Sequence, residues 1–571
     1  MAPAANPKTE RPHILLFTMA TTAAAVTSSS SRTTLTIVSC LFVISCCLKV
    51  LLFPAYRSTD LDVHRHWKAV TRNLARQDWY FDNAHVDTVH TLDYPPGFAF
   101  LEYCWANNPL TSYLLDSGSL DARCLWLLPD TDNVPSPACV AYLRSTVLVS
   151  DAVLWLAAAA ISVSVTASTD TKDITKRWII FGLIVFHPAL LWLDHVHFQY
   201  NGLLLGLLLL SVACLLAANN NNNNNTTTTP PTTVRFHVYH IAAAATFALL
   251  LTLKHLYLIL APWYFFYLYR RYVLADASRN NRVRRLLVLG SVTVLTLLVP
   301  VLPFVTTATT NRLQQLQQIG RRLFPFGRGL VHDYWAGNVW ALHQAANKVL
   351  GVLQLSLVLP DVSPTQCAVI LLLCLSPGCW YAWQAAAAAS AAGSGSAKYY
   401  ANQGILLSIS YSALVSFLTA YHVHEKAVVT TLLPLTVWAV VAAEQDAGAA
   451  LALLTQTTAA AVLGLAPLLF RPVELCLKLC TLIPYLAVLG YYQRCTSAEA
   501  AGANPQRMPW WTVTWIVPVW ALVEVVPVSV WGRYEFVPLA VTSVSVAVAM
   551  LVSFARITRH MMFDRPKVKV I

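Results

Sequence analysis

Asp194-His-Val-His-Phe-Gln-Tyr-Asn201 leads without a break into Gly202-Leu-Leu-Leu-Gly-Leu-Leu-Leu-Leu-Ser-Val-Ala-Cys-Leu-Leu-Ala217, and a second apolar run, 177–193, precedes it. Each run approaches the roughly 20 apolar residues a helix needs to cross a membrane. The stretch between them holds an acid, two imidazoles, two amides and a phenol. Such side chains are costly to place at a bilayer boundary, so their density marks a working site.

Composition extends this reading to the whole chain. With 56% hydrophobic and 12% charged residues, 571 residues are too apolar for one soluble globule. Backbone amides left unpaired in lipid are prohibitive, so the apolar runs are expected to be helices. The expected fold is an all-α polytopic membrane protein of about 14 transmembrane helices with interfacial helices and loops. Candidate spans lie near 34–53, 142–165, 177–193, 202–217, 236–253, 255–269, 286–305, 366–387, 404–420, 427–443, 449–469, 473–491, 511–530 and 535–555. Lys254, His255 and Pro262 interrupt the pair at 236–269, which predicts bent or broken helices there. Ala345 to Leu359 is apolar only in its second half and carries Lys348, so it reads as interfacial.

Basic residues set the orientation. Lys172, Lys176 and Arg177, then Arg270, Arg271, Arg279, Arg282, Arg284 and Arg285, and finally Arg556, Arg559, Lys567 and Lys569 follow the second, sixth and last spans. They share one side if both termini are cytoplasmic, where short loops concentrate positive charge. The loops 54–141 and 306–359, the Asp194 stretch and His422 to Lys426 then share the other side. That topology, with anionic lipid headgroups, absorbs the net charge of +12, and no nucleic-acid motif is present.

The chain accordingly divides into a disordered cytoplasmic tail, 1–33, a catalytic transmembrane region, 34–430, and C-terminal helices with a cytoplasmic tail, 431–571. The first apolar run is too long for a signal peptide and reads as a retained anchor. The asparagine and threonine tract from Asn219 to Thr229, within an insertion at 219–233, is too polar to pack. Its sequons at Asn224 and Asn225 would stay unused on the cytoplasmic side. Lys567-Val-Lys-Val-Ile571 matches the dilysine form that retrieves membrane proteins to the endoplasmic reticulum. Cys104, Cys124 and Cys139 lie in the non-cytoplasmic loop, where one disulfide is open to them, and no zinc spacing appears.

Four clusters carry chemistry. Asp60 and Asp62 sit in Ser58-Thr-Asp-Leu-Asp-Val-His-Arg-His-Trp67, just past the first run. A carboxylate there is placed to draw a proton from a sugar hydroxyl, while Thr59 and Asp60 are equally suited to cap the following helix. The Asp-x-Asp spacing imitates a metal motif, but no further carboxylate stands nearby, so no metal is expected. Asp93-Tyr-Pro-Pro96 is a turn fixed by its prolines, presenting Asp93 or Tyr94 to the site or merely orienting a loop. Asp194, His195, His197, Gln199 and Asn201 suit hydrogen bonding to sugar and phosphate; an interfacial belt of His and Tyr is the plain alternative. Arg321-Arg322-Leu-Phe-Pro-Phe-Gly-Arg328-Gly329 is basic on the side where basic loops are disfavoured, which calls for a phosphate or pyrophosphate unless the loop is merely solvated. His422-Val-His424-Glu-Lys426 adds cations at a span end, or an internally neutralised pair. Polar groups gathered at span ends favour an enzyme over a lipid-sugar flippase, for which broken helices and midplane charges are expected.

Along 54–430, in order, Thr59-Asp-Leu-Asp-Val-His-Arg-His-Trp67, Asp93-Tyr-Pro-Pro96, Asp194 to Gly202, Arg322-Leu-Phe-Pro-Phe-Gly-Arg328-Gly329 and Val423-His-Glu-Lys426 resemble the endoplasmic reticulum glucosyltransferases that extend the dolichol-linked oligosaccharide. The resemblance implies a GT-C type bundle of membrane helices with its active site on lumenal loops. It implies two lipid-borne partners, a dolichyl phosphate glucose donor and a dolichyl-pyrophosphate-linked oligosaccharide acceptor, with no cofactor and no metal. The transfer it implies is inverting and forms an α-1,3 link. Asp60 matches the family's base. Phosphate contacts are expected among Arg321, Arg322, Arg328, His424 and Lys426, and further substrate contacts among Asp62, Asp93, Tyr94, Asp194, His195, His197, Gln199 and Asn201. Ser58-Thr-Asp60, Tyr334-Trp-Ala-Gly-Asn338-Val-Trp-Ala-Leu342 and Tyr421-His-Val-His-Glu-Lys426 are similar to the member that adds the second glucose, with the member that adds the first as the alternative. Tyr421 in place of Trp, the asparagine insertion and the Ala-rich segments depart from the pattern.

Overall fold

Lipid offers a backbone no water to bind, and the chain answers with helices: no strand forms among the described residues. The computed structural model describes residues 29–130, 134–166, 171–220, 234–306, 311–325, 327, 329–332, 335–355, 359–390, 395–442, 444–499, 514–524, 526, 530, 532 and 536–563. The N-terminal tail up to residue 28, the insertion from 221 to 233 and the C-terminal dilysine form lie outside them, as does Arg328.

Among the described residues, nine helices are long and apolar enough to cross a bilayer: Pro137–Val165, Lys172–Val196, Asn201–Asn220, Val234–Leu253, Pro364–Ser390, Ala397–Thr419, Asp446–Leu468, Glu474–Thr496 and Val537–Met562. Each coincides with one of the expected spans. The other five expected spans fall on helices that are short, interrupted or charged. Ser29–Leu51 is apolar only from Thr36. The 255–269 run breaks into a 3-10 turn, His255–Leu260, a short helix, Ala261–Leu268, and a π turn from Tyr269. Arg279–Leu298 opens with four arginines within seven positions. Val429–Val440 carries Pro434, and Ile516–Glu524 has nine residues. The expected interfacial helix begins earlier than Ala345, at Val339, because Asn338 Oδ1 caps it by accepting from the Trp340 and Ala341 amides.

Asn201–Asn220 is the central rod. Apolar on every side and buried along its length, it packs between Ala152–Val165 and Val234–Leu253. A Cβ at Gly206 would lie 2.8 Å from the Leu154 amide nitrogen, so only glycine permits this approach. Twenty residues span about 30 Å. At the far end Asn219 is buried: its Nδ2 donates to Tyr267 Oη at 3.2 Å and Asn402 Oδ1 at 3.0 Å, and its Oδ1 accepts from Arg271 Nε at 3.1 Å. The expectation that the asparagine tract is unpacked from Asn219 onward is thus corrected, because the first two asparagines continue the helix and tie off its end.

At the near end, the 54–130 segment folds over the bundle. Thr59–Asn73 packs on Pro96–Asn107 around a buried cluster: Glu102 takes Lys68 Nζ at 2.5 Å and His64 Nδ1 at 2.7 Å, and Lys68 also donates to Tyr200 Oη at 3.0 Å. Burial alone would raise the Glu102 carboxyl, but the Lys68 charge and the His64 hydrogen bond hold it below the ordinary range. Cys124 and Cys139 form a disulfide that closes this segment onto the first spanning helix, and Cys104 is free.

Candidate active site

The Thr59–Asn73 helix begins after Ser58, whose side chain does not cap it; Ser58 Oγ instead donates to the His197 carbonyl. Asp60, in the first turn, points outward from its own helix. Its Oδ2 accepts from Lys426 Nζ at 2.6 Å and Gln199 Nε2 at 2.6 Å, and His197 Nε2 lies 3.3 Å away. All three partners converge on one oxygen, and the side chain stays one-fifth exposed. Burial pushes the carboxyl up, but the Lys426 charge and the His197 hydrogen bond outweigh it and hold Asp60 well below the usual carboxylate range.

Irregular backbone brings these partners together. The Lys172–Val196 span ends in a π turn, Leu191–Val196. Phe198 follows at φ +81°, a strained value for a non-glycine residue, with its ring buried against His64 and Tyr200. The kink turns His197 and Gln199 to the same side. Arg144, itself buried, fixes the two strands: it donates to the carbonyls of Leu52, Ala55 and Tyr56 on one and of His195 and Val196 on the other. Tyr56 Oη adds a contact to His197 Nδ1 at 3.0 Å. Lys426 arrives from a turn in which His422, at φ +52°, donates its amide to the Leu330 carbonyl at 3.0 Å.

Of the residues expected at the site, Asp60, His197, Gln199 and Lys426 are in direct contact. Asn201 lies one layer behind, donating to Gln199 Oε1 at 3.2 Å and Asp194 Oδ1 at 2.9 Å. The Tyr94 ring packs on Trp67 and Phe98, and its phenol feels the charges of Asp93, Asp60 and Lys426. Other expected contacts are engaged elsewhere. Asp62 lies about 200° around the helix from Asp60 and faces Arg57 Nε at 3.5 Å, so the two carboxylates do not share a metal. Asp194, 1% exposed, accepts the Gly202 amide at 2.6 Å and ties the start of the central rod. His195 Nε2 meets Asp151 Oδ2 at 2.8 Å, and Asp151 also takes Lys49 Nζ at 2.6 Å. Arg322 holds Asp82 Oδ1 and Asn83 Oδ1, each at 2.9 Å, while Arg321 is exposed. The His424 ring packs at a tilt on His332 with centroids 4.3 Å apart. Burial, with His332 and Lys426 nearby, pushes its imidazole down to about 3, so it is neutral. His332, His424 and Glu425 offer ligand atoms within 4.8 Å of one another, the group among the described residues suited to a metal ion.

A chain of membrane helices that gathers a carboxylate, a lysine, a histidine and an amide at one end is matched over residues 45–557 by the model of the ALG6, ALG8 glycosyltransferase family. The chain belongs to that family. A dolichyl pyrophosphate Glc1Man9GlcNAc2 alpha-1,3-glucosyltransferase of Mus musculus is 31% identical over 542 residues, covering 89% of this chain and 93% of its own. Proteins of the same name from Bos taurus and Arabidopsis thaliana are each 30% identical, over 558 and 485 residues, covering 91% and 80% of this chain and 94% and 83% of theirs. For this ALG6, ALG8 glycosyltransferase the motif reading omitted Tyr56, Arg144 and His332. Arg144 carried a signal, being an arginine inside the apolar run 142–165. Tyr56 and His332 carried none, because their partners lie far away in sequence.

Proposed function

We propose that this glycosyltransferase moves glucose from dolichyl phosphate glucose to the terminal glucose of a dolichyl-pyrophosphate-linked Glc1Man9GlcNAc2 oligosaccharide, forming an α-1,3 bond with inversion. The observation that carries the reading is the Asp60 carboxylate, anchored through Oδ2 and partly exposed. Its other oxygen takes the proton of the acceptor hydroxyl as that oxygen attacks the anomeric carbon. The bond from that carbon to the phosphate oxygen breaks, and its electron pair leaves with dolichyl phosphate. Phosphate is a good leaving group, so the site needs cations rather than a general acid. Lys426 supplies one, and neutral His424 a hydrogen bond. As Lys426 turns to the phosphate, Asp60 loses the partner that most lowers its pKa and becomes a stronger base.

The site is assigned to the lumenal face of the endoplasmic reticulum membrane. The Cys124–Cys139 disulfide, in the segment that also carries Asp60, fits an oxidising compartment. The buried Lys49–Asp151–His195 group supplies the intramembrane charge a flippase would show, but each member is paired and hydrogen-bonded into the bundle. With labelled glucose on a synthetic dolichyl phosphate, Asp60→Asn should reduce transfer at least 1,000-fold, about 4 kcal/mol of barrier, and chelator should leave the wild type active. Full activity in Asp60→Asn refutes the base. Loss with chelator, restored by a divalent ion, refutes the metal-free reaction. Cells lacking the chain should accumulate the singly glucosylated lipid; a stall with no glucose would assign it to the preceding step.

A further inference from the structure

The cations expected to hold phosphate are largely engaged: Lys426 with Asp60, and Arg322 with Asp82. Lys254 is different. It stands where Val234–Leu253 ends, in extended backbone at φ −150° and ψ 111°. That helix end is pressed onto the start of Pro96–Asn107, because a Cβ at Gly97 would lie 2.6 Å from the Thr252 carbonyl oxygen. The Lys254 ammonium therefore lies beside the Asp93–Pro96 turn, 5.2 Å from the centre of the Tyr94 ring. It feels the charges of Asp194, Asp60 and Asp93, yet it has no hydrogen-bond or ion-pair partner among the described residues. The Tyr94 hydroxyl likewise has no such partner among them. The next residue, His255, packs its ring on Phe324 at 5.2 Å, which brings the end of the Arg312–Leu323 helix to the same break.

A charged ammonium half-buried at a site wall without a counterion is poorly solvated, unless a ligand completes its shell. Burial lowers its pKa, and the charges of Asp194, Asp60 and Asp93 oppose that shift without pairing to it. The ligand that suits it is an oxyanion, and phosphate oxygens make strong charge-assisted hydrogen bonds with lysine. We propose that Lys254 is a phosphate-binding residue of this site: its ammonium, with the Tyr94 hydroxyl beside it, holds the donor's lipid phosphate and stabilises the second negative charge that appears when the sugar departs. The inference rests on the proposed transfer, in which the anomeric carbon–oxygen bond breaks, a singly charged phosphodiester becomes a doubly charged phosphate monoester, and the acceptor proton goes to Asp60. Lys426 and Lys254 then hold the phosphate between them.

Two lipid phosphates visit such a site, the donor's and the acceptor's pyrophosphate, and the arms of the experiment separate them. The full-length protein in nanodiscs is titrated with a short-chain polyprenyl monophosphate, and donor and acceptor kinetics are measured for wild type, Lys254→Met, Lys254→Arg and Asp60→Asn. Lys254→Met should weaken monophosphate binding tenfold or more and lower donor kcat/KM by at least as much, with acceptor KM within twofold of wild type. Lys254→Arg should keep most of the binding and carry it to higher pH, since burial lowers the lysine pKa and arginine does not titrate there. Of the groups facing it, Asp60, Asp93, Asp194 and Tyr94, the Asp60 carboxyl is held below its usual range and the Tyr94 phenol above its own, so neither changes charge where the lysine does. Asp60→Asn should lose turnover and retain monophosphate binding, so failure of the base and failure of the phosphate ligand give different results. Undiminished monophosphate binding in Lys254→Met, or a rise confined to acceptor KM, overturns the proposal. If the methionine variant does not fold, an arginine variant with an unchanged pH limit for binding overturns it equally.

Discussion

At the scale of single residues, the ion pair between Asp60 and Lys426 sets how readily the carboxylate takes a proton, and so the strength of the proposed base. Lys426 lowers the carboxyl and burial raises it. Asp60 is therefore deprotonated above its depressed pKa, and activity is lost only as pH falls through that low value. Removing the ammonium leaves burial opposed by His197 and Gln199 alone, so the pKa rises. In Lys426→Met the acid limb of kcat/KM should move to higher pH, and kcat should fall about tenfold or more for want of a phosphate contact; a limb that stays in place would show that Lys426 does not set the base. The motifs made Asp60, His197, Gln199 and Lys426 legible because their residue types are expensive at a span end. The diversion of Asp194, Arg322 and His195 to structural partners was not legible. Their partners, Gly202, Asp82 and Asp151, are set by packing, which local spacing does not encode.

At the scale of elements, the rim that carries Asp60 depends on irregular turns held by Arg144. Its two guanidinium nitrogens join the strand leading to Asp60 with the strand leading to His197. Lysine keeps the charge but not the planar fork, so Arg144→Lys should lose two or more charge-assisted bonds, about 3 kcal/mol. The expected outcome is a lower melting temperature in detergent and a reduced kcat with polyprenyl monophosphate affinity unchanged. A variant that melts earlier with kcat intact would limit Arg144 to stability. Hydropathy made the nine long helices legible, since length and apolarity alone define them. It did not show that the 255–269 run, apolar in composition, breaks into a 3-10 turn, a short helix and a π turn, because Lys254 is extended and Pro262 opens the new helix. The π turn before His197 and the left-handed Phe198 leave no pattern in composition at all.

At the scale of the whole molecule, the central rod separates two chemically distinct ends. One gathers Asp60 and its partners; the other, about 30 Å away, gathers Asn219, Arg271 and the basic turn around Arg285. On the proposed orientation, the positive charge on the second end puts it in the cytoplasm and the first end in the lumen. Ser117→Asn creates a sequon at the exposed turn Ser117-Gly118-Ser119, on the Asp60 side of the fold. In microsomes that variant should gain one glycan removable by endoglycosidase, while Asn224 and Asn225 remain unmodified; the reverse pattern would invert the protein in the membrane. The salt link between Asp60 and Lys426 joins residues 366 positions apart. Because a single ammonium cannot quiet the carboxylate and grip the donor at once, the order of arrival matters. On the proposed transfer, an oligosaccharide that docks first would meet a dormant enzyme, and the charged sugar carrier would act as the key that arms it.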